Sequence, residues 1–315
     1  MKKIKFITFN FFLLAFLACN PNDTSKPLNT PTQGEIHISV DDSYTPIIEA
    51  ELYAFHSFYK YAKISAHYKP EGEAVKDLLN DSVKMVIMSR ELTKNELHVF
   101  EKINLHPTTL KIAYDAVAII IHPDNKDSLL TMNQLKDIVS GKKMMWKQVY
   151  PQSSLAEISV VFDHKSSGNA RLIQEKFIGT ASFPKNCFAA NSNKEVVDYV
   201  TANKGAIGVI GFNWISDRDD TLMLGLLKKI KVVALAVSDT AVGSEEYYKP
   251  CQDYIKQGVY PLCRNVYMVS REARAGLGTG FAAFVAGDKG QRIILKSGLV
   301  PVTIPPRVIQ INTGI

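Results

Sequence analysis

The chain is poor in cysteine and tryptophan, with four and two in 315 residues, and it has one long apolar run, at its N-terminus. Each shortage excludes something. The cysteines fit no zinc spacing and the seven histidines are scattered, so neither a metal site nor a cofactor is expected. No dense basic patch with interleaved aromatics is present, which argues against a nucleic-acid partner. Beyond the N-terminal run nothing is long and apolar enough to span a bilayer. There is no short-period repeat. The formal charge of +6 overstates basicity, because the first nineteen residues hold three lysines and no acids, which leaves +3. A hydrophobic content of 46% is enough for a substantial core, and roughly 280 folded residues suggest two domains or lobes.

The N-terminus reads as an export signal. Lys2, Lys3 and Lys5 precede an apolar core from Phe6 to Phe16, broken only by Thr8 and Asn10, and Leu17-Ala18-Cys19 closes it. The end resembles a bacterial lipoprotein cleavage site, with Phe16 where Leu is usual and Leu17 where a small residue is usual. That resemblance makes Cys19 the lipidated first residue, lipid-anchored to a bacterial membrane, and the protein periplasmic or exposed at the cell surface. Residues 20–34, rich in Pro, Asn, Thr and Ser, read as a flexible tether. Of the remaining cysteines, Cys251 and Cys263 are close enough in sequence for a disulfide in an exported compartment. Three buried thiols, counting Cys187, are the equal alternative.

From Glu35 strands and helices alternate. Ile36 to Val40, Ala62 to Tyr68 and Val83 to Met88 read as strands. Helices follow from Ile47, after Gly72, and from the capping box Thr93-Lys94-Asn95-Glu96. Ser43 or Thr45 is the expected cap of the first helix, with Pro46 in its first turn. Ala113 to Pro123 is a long apolar strand, and Leu130 to Gly141 a helix closed by Gly. A second α/β set begins at Ile158 and includes the strands Ala206 to Gly211 and Lys231 to Val237. The order implies an open, mostly parallel α/β sheet. Ligands of such sheets gather at strand C-termini, where helices begin.

The most informative of those places is the run from Phe162 to Arg171. A buried strand leads through Ser166-Ser167-Gly168-Asn169 into a helix. Unpaired N–H groups and a helix dipole favour an anion there, Ser167 and Asn169 add side-chain donors, and Gly168 permits close approach. Comparable ends carry Ser43-Tyr44, Glu71-Gly72 and Ser89-Arg90. Two facing lobes would bring all four to one cleft; helix capping alone would also explain these residue types.

From Ile36 to Val302 the chain resembles the phosphate-binding solute receptors of bacterial ABC importers. The resemblance rests on Ala113-Tyr114-Asp115-Ala116-Val117-Ala118, on Leu130 to Ile138 with Gly141 and Trp146, on Ala206 to Gly211 and on Tyr260-Pro261-Leu262. It extends through Gly287-Asp288-Lys289-Gly290-Gln291 and Gly298-Leu299-Val300-Pro301. It implies a type II two-lobed periplasmic-binding-protein fold with two crossover hinge strands, Ala113 to Pro123 and Arg264 to Ser270, and a ligand cleft between the lobes. Residues 35–114 and 263–315 would form a discontinuous first lobe and 115–262 the second. The implied protein is a monomeric receptor that is not an enzyme, with inorganic phosphate or a similar oxyanion as ligand and a permease as partner. The implied ligand set is Ser43, Tyr44, Glu71, Gly72, Ser89, Arg90, Ser167, Gly168, Asn169 and Arg171.

Two departures matter. Arg90 stands where many members have Asp, and Asp163 where they have Arg. The first removes an acceptor for the phosphate proton that sulfate lacks. Glu71 is the candidate replacement, and Arg90 or Arg171 the candidate guanidinium contact. Arg90 could instead pair with Glu91 or Glu96, and Arg171 could lie along its helix. Asp163 is expected to neutralise a neighbouring Arg or Lys, and His164 to be a polar loop residue. The alternatives are another oxyanion (sulfate, molybdate or a phosphorylated metabolite), or a phosphate-sensing or adhesive surface lipoprotein without a transport role. Hydrolysis is the weakest reading, because His164 and Ser167 have no third orienting group.

Overall fold

The computed structural model describes residues 29–239 and 246–304. The expected signal, Cys19 and most of the tether lie outside them. In the first stretch, strands β1 (Gly34–Asp41), β2 (Ala62–Lys69), β3 (Met85–Met88) and β4 (Thr108–Ile121) alternate with helices α1 (Thr45–Phe58), α2 (Glu71–Leu79) and α3 (Lys94–Glu101). The middle holds β5 (Leu129–Thr131), α4 (Met132–Val139), α5 (Trp146–Val149), β6 (Ser159–Phe162) and α6 (Gly168–Ile173). It continues through β7 (Cys187–Ala189), α7 (Asn193–Ala202), β8 (Ala206–Gly211), α8 (Thr221–Leu227), β9 (Lys231–Val232) and β10 (Ala234–Ala236). The chain then returns through α9 (Gln252–Lys256), β11 (Cys263–Ser270), α10 (Leu277–Ala286), α11 (Asp288–Lys296) and β12 (Val300–Pro301).

The main sheet runs β2-β1-β3-β11-β4-β8-β6-β7, with β12 and β9 also on β4. In one half β1 lies parallel between β2 and β3; in the other β6 lies parallel between β7 and β8. Two antiparallel strands, β4 and β11, connect them. The first part of β4 pairs with β11, and Val117 to Ile121 pair with β8, so one strand serves both lobes. Its residues from Asp115 to Ile121 are all buried, which explains why this run is apolar throughout instead of alternating. The fold is therefore two-lobed α/β with crossover strands at the hinge.

Several local expectations need correction. Neither Ser43 nor Thr45 caps α1. A short 3₁₀ turn, Asp42–Tyr44, precedes the helix, and Asp41 caps that turn by accepting from Ser43 N at 3.0 Å. Glu71 and Gly72 lie inside the first turn of α2, not in a loop before it. Leu130 is in a strand, because β5 pairs with β10 in a separate two-stranded sheet and the helix starts after it. The expected strand from Lys231 is split into β9 on the main sheet and β10 on that small one. The end of the tether is docked: Asn29 Oδ1 accepts from Leu277 N at 2.8 Å, at the start of α10. The capping box at Thr93 and Glu96 is formed as expected. Among the described residues Cys187, Cys251 and Cys263 form no disulfide with one another. Among the described residues no helix is long and apolar enough to cross a membrane.

One core residue is chemically out of place. Glu51 lies on the buried face of α1 with Ile47, Ile48, Leu52 and Phe55, and among the described residues neither carboxylate oxygen has a hydrogen-bond partner. Burial pushes its pKa up to about 9. A carboxyl raised in the folded state destabilises increasingly as pH climbs from its unfolded value towards that folded value. Glu51→Met should therefore raise the thermal midpoint at pH 8.5, with the gain shrinking towards pH 5. Equal gains at both pH values in scanning calorimetry would contradict this assignment.

Candidate functional site

The strand ends meet at the junction of the lobes. Ser89 and Arg90 follow β3; Ser43 and Tyr44 follow β1; Glu71 and Gly72 open α2. The other lobe contributes Ser167, Gly168, Asn169 and Arg171 around the start of α6. Ser167 caps that helix, its Oγ accepting from Ala170 N at 3.1 Å. The expected ligand set thus comes together, and the lobes touch through it. Gly72 N donates to Ser166 O at 3.0 Å, and Asn193 Nδ2 donates to Asp42 Oδ2 at 3.0 Å.

Several donors in this cluster face carboxylates of the protein itself. Glu71 Oε2 accepts from Ser89 N at 2.9 Å and from Ser89 Oγ at 2.5 Å. Glu71 Oε1 accepts from Arg171 Nε at 2.6 Å, with Arg90 Nε at 3.4 Å. Arg171 Nη2 also donates to Ser89 Oγ at 2.8 Å. Asp41 takes two further backbone donors: Oδ1 accepts from Ser43 N at 3.0 Å and Oδ2 from Gly168 N at 3.2 Å. A carboxylate has two oxygens in one plane, as a tetrahedral oxyanion has two on any edge, so Glu71 shows how these donors hold an oxyanion.

The expected guanidinium roles separate. Arg90 makes a bidentate pair with Glu96, at 2.7 Å and 2.8 Å, and reaches Glu71 only at longer range. Arg171 makes the close cross-lobe contact and also pairs with Glu175 at 2.7 Å, so it does both things the sequence left open. Among the described residues no Arg or Lys pairs with Asp163. Ser167 Oγ donates to it at 2.6 Å and Asn169 Nδ2 at 2.9 Å, which makes it an organiser of the loop.

Beneath the cluster lies a residue that sequence reasoning passed over. Arg264 on β11 pairs with Asp115 on β4, its Nε at 2.9 Å and Nη2 at 2.8 Å from Oδ2, and both side chains are buried. The guanidinium also lies 5.0 Å from the centroid of the Tyr44 ring. Among the described residues Arg264 Nη1, Ser43 Oγ and the Tyr44 hydroxyl have no hydrogen-bond partner. The available signal was a charge inside each of two apolar strands, since a buried charge is retained only where something answers it.

The electrostatics follow from this crowding. Burial, and next the charge of Glu71, push Asp41 up to about 7, with Arg264 opposing. Burial pushes Asp163 up to about 6, against the hydrogen bond from Ser167. Burial also works against charge on Glu71. Arg171 and Ser89 prevail there, holding its carboxyl below the usual range. Charge is thus favoured on Glu71 and disfavoured on Asp41 beside it. Among the described residues no cluster of three or more His, Cys, Asp or Glu could hold a metal.

This arrangement, two α/β lobes joined by crossover strands with polar strand ends facing across a cleft, defines the class of type II periplasmic binding proteins. The chain belongs to the PBP superfamily, whose domain profile matches residues 25–289. The phosphate-binding protein PstS of Staphylococcus epidermidis is 26% identical over 281 residues, covering 87% of this chain and 81% of that protein. PstS of Borreliella burgdorferi is 23% identical over 310 residues, covering 96% and 99%. Among solved structures, a candidate phosphate ABC transporter substrate-binding protein from Clostridium perfringens with bound phosphate aligns with a TM-score of 0.71 at 24% identity, over 86% of this chain and 100% of that one. A phosphate transport receptor from Vibrio cholerae aligns at 0.63 and 22%, over 84% and 99%.

At Gly168 the lobes approach closely. A Cβ there would fall 3.0 Å from Glu71 Oε2, 2.6 Å from Ser89 Oγ and closer still to Asp41 Oδ2. Gly168→Ala should hold the cleft ajar, and the Gly72 amide, whose bond crosses it, should lose hydrogen-exchange protection. Unchanged protection would show that the contact is not limiting for closure.

Proposed function

We propose that the protein is an extracytoplasmic solute receptor that captures inorganic phosphate between its lobes and delivers it to an ABC importer. One observation carries the reading. Donors from both lobes, Ser89 N, Ser89 Oγ and Arg171 Nε, already hold an oxyanion, the Glu71 carboxylate, at the cleft. Phosphate offers the same pairs of oxygens to these donors. The unpartnered Ser43 Oγ, Tyr44 hydroxyl and Arg264 Nη1 supply further capacity beneath them. The names of the relatives, phosphate-binding protein PstS, supply the ligand.

The carboxylates set its selectivity. They repel any anion, yet Asp41, which stays beside the cradle, can accept a hydrogen bond from a phosphate that keeps a proton. Sulfate has no proton to give at neutral pH and meets the repulsion alone. We read residues 35–114 with 263 onward as one lobe and 115–262 as the other. Closure between them makes the receptor. Within this reading the first nineteen residues export the chain and Cys19 carries the anchor.

Titration calorimetry of the chain from Asn20 at pH 7 should show one phosphate per molecule, with sulfate at least tenfold weaker. Absence of heat with phosphate would sink the reading. For the anchor, metabolic labelling with a radioactive fatty acid should mark the full-length chain and fail to mark Cys19→Ser. Label retained in that variant would place the lipid elsewhere.

A further inference from the structure

We propose that Glu71 is an internal competitor and latch: its carboxylate occupies the oxyanion cradle and holds the lobes together until an external oxyanion displaces it. The proposal rests on the receptor reading above and adds to it a device that sets affinity and the unliganded conformation.

The geometry is that of a bound ligand, not of a helix-capping acid. Glu71 is the first residue of α2, where an exposed carboxylate would suffice to meet the helix dipole. Instead its side chain is only 2% exposed, and its partners come from elsewhere. Ser89 lies after β3 and Arg171 on α6 of the opposite lobe. The helix itself does not need this arrangement, because Ala74, Val75 and Leu78 form its buried face. The cost of burying Glu71 beside Asp41 is offset by the donors across the cleft. Both Ser89 donors and Arg171 Nε are thereby used up. An incoming phosphate has no free path to them unless Glu71 rotates away.

A tethered competitor acts at a high effective concentration. If the cradle is free only a fraction of the time, the apparent Kd is the intrinsic value divided by that fraction. A latch engaged about 99% of the time weakens capture by about 100-fold. The same contact would hold the lobes together before an oxyanion arrives, since Arg171–Glu71 spans them, as the Gly72–Ser166 bond does.

The test uses the chain from Asn20 with Glu71→Ala and Glu71→Gln, each shown to be folded by its thermal transition. Inorganic phosphate should bind Glu71→Ala at least tenfold more tightly than the wild type, with Glu71→Gln between. In small-angle scattering without phosphate, Glu71→Ala should have a larger radius of gyration that shrinks on adding phosphate, while the wild type stays constant. Equal or weaker affinity in both variants would overturn the competitor role, and an unliganded Glu71→Ala as compact as the wild type would overturn the latch. If no form binds phosphate while Glu71→Ala expands, the receptor reading and the competitor role fall and the latch stands.

Discussion

The structure depends on one buried cation. Arg264 sits where both crossover strands pass between the lobes, and its charge opposes the cost of burying Asp41, Asp115 and Asp163 around it. Removing a guanidinium from such a place would leave several carboxylates unanswered in a low dielectric, a situation costing several kcal/mol per ion. The strand pairing itself expresses the constraint. Arg264 and Asp115 are opposite one another in the β11–β4 ladder, so their ion pair fixes register at the hinge. Everything nearer the cleft is built on top of this pair. Tyr44 lies against its guanidinium, and Ser43 is packed against Gly211 beside it.

Above that base the chain places an excess of acid where an anion would be received. The arrangement is intelligible only if the acids do something. Asp41 closes a 3₁₀ turn with one oxygen and reaches the opposite lobe with the other. Asp163 organises the α6 loop. Glu71 alone bridges the lobes through a guanidinium. The three roles separate by partner: backbone, hydroxyl with amide, and cation. Their electrostatics separate in the same way: Arg171 and Ser89 hold the Glu71 carboxyl down, while burial pushes Asp41 and Asp163 up.

Much of this was legible in the sequence. Alternating strands and helices announced an α/β sheet, the apolar run through Ile121 announced a long strand, and the Ser-Gly-Asn turn after Phe162 announced a strand-to-helix donor site. Elements defined by one strong local pattern, such as the Thr93 capping box and the strand from Ala206 to Gly211, were placed accurately. Errors came where tertiary pairing decides. Leu130 was drawn into β5 by its partner strand, and Glu71 was drawn into a helix because Pro70 can precede a first turn as well as end a loop. The hinge ion pair and the carboxylate in the cradle were not readable, since each joins residues far apart in the chain. Composition could count the acids but could not say which donors they face.

The most direct test of this account is a crystal structure of the chain grown in inorganic phosphate at neutral pH. The account predicts a phosphate bonded to Ser89 and Arg171 at the interlobe junction, with the Glu71 carboxylate rotated out of the cradle. A structure in which Glu71 keeps its bonds to Ser89 and Arg171, with phosphate absent from the cleft or bound elsewhere, would contradict it.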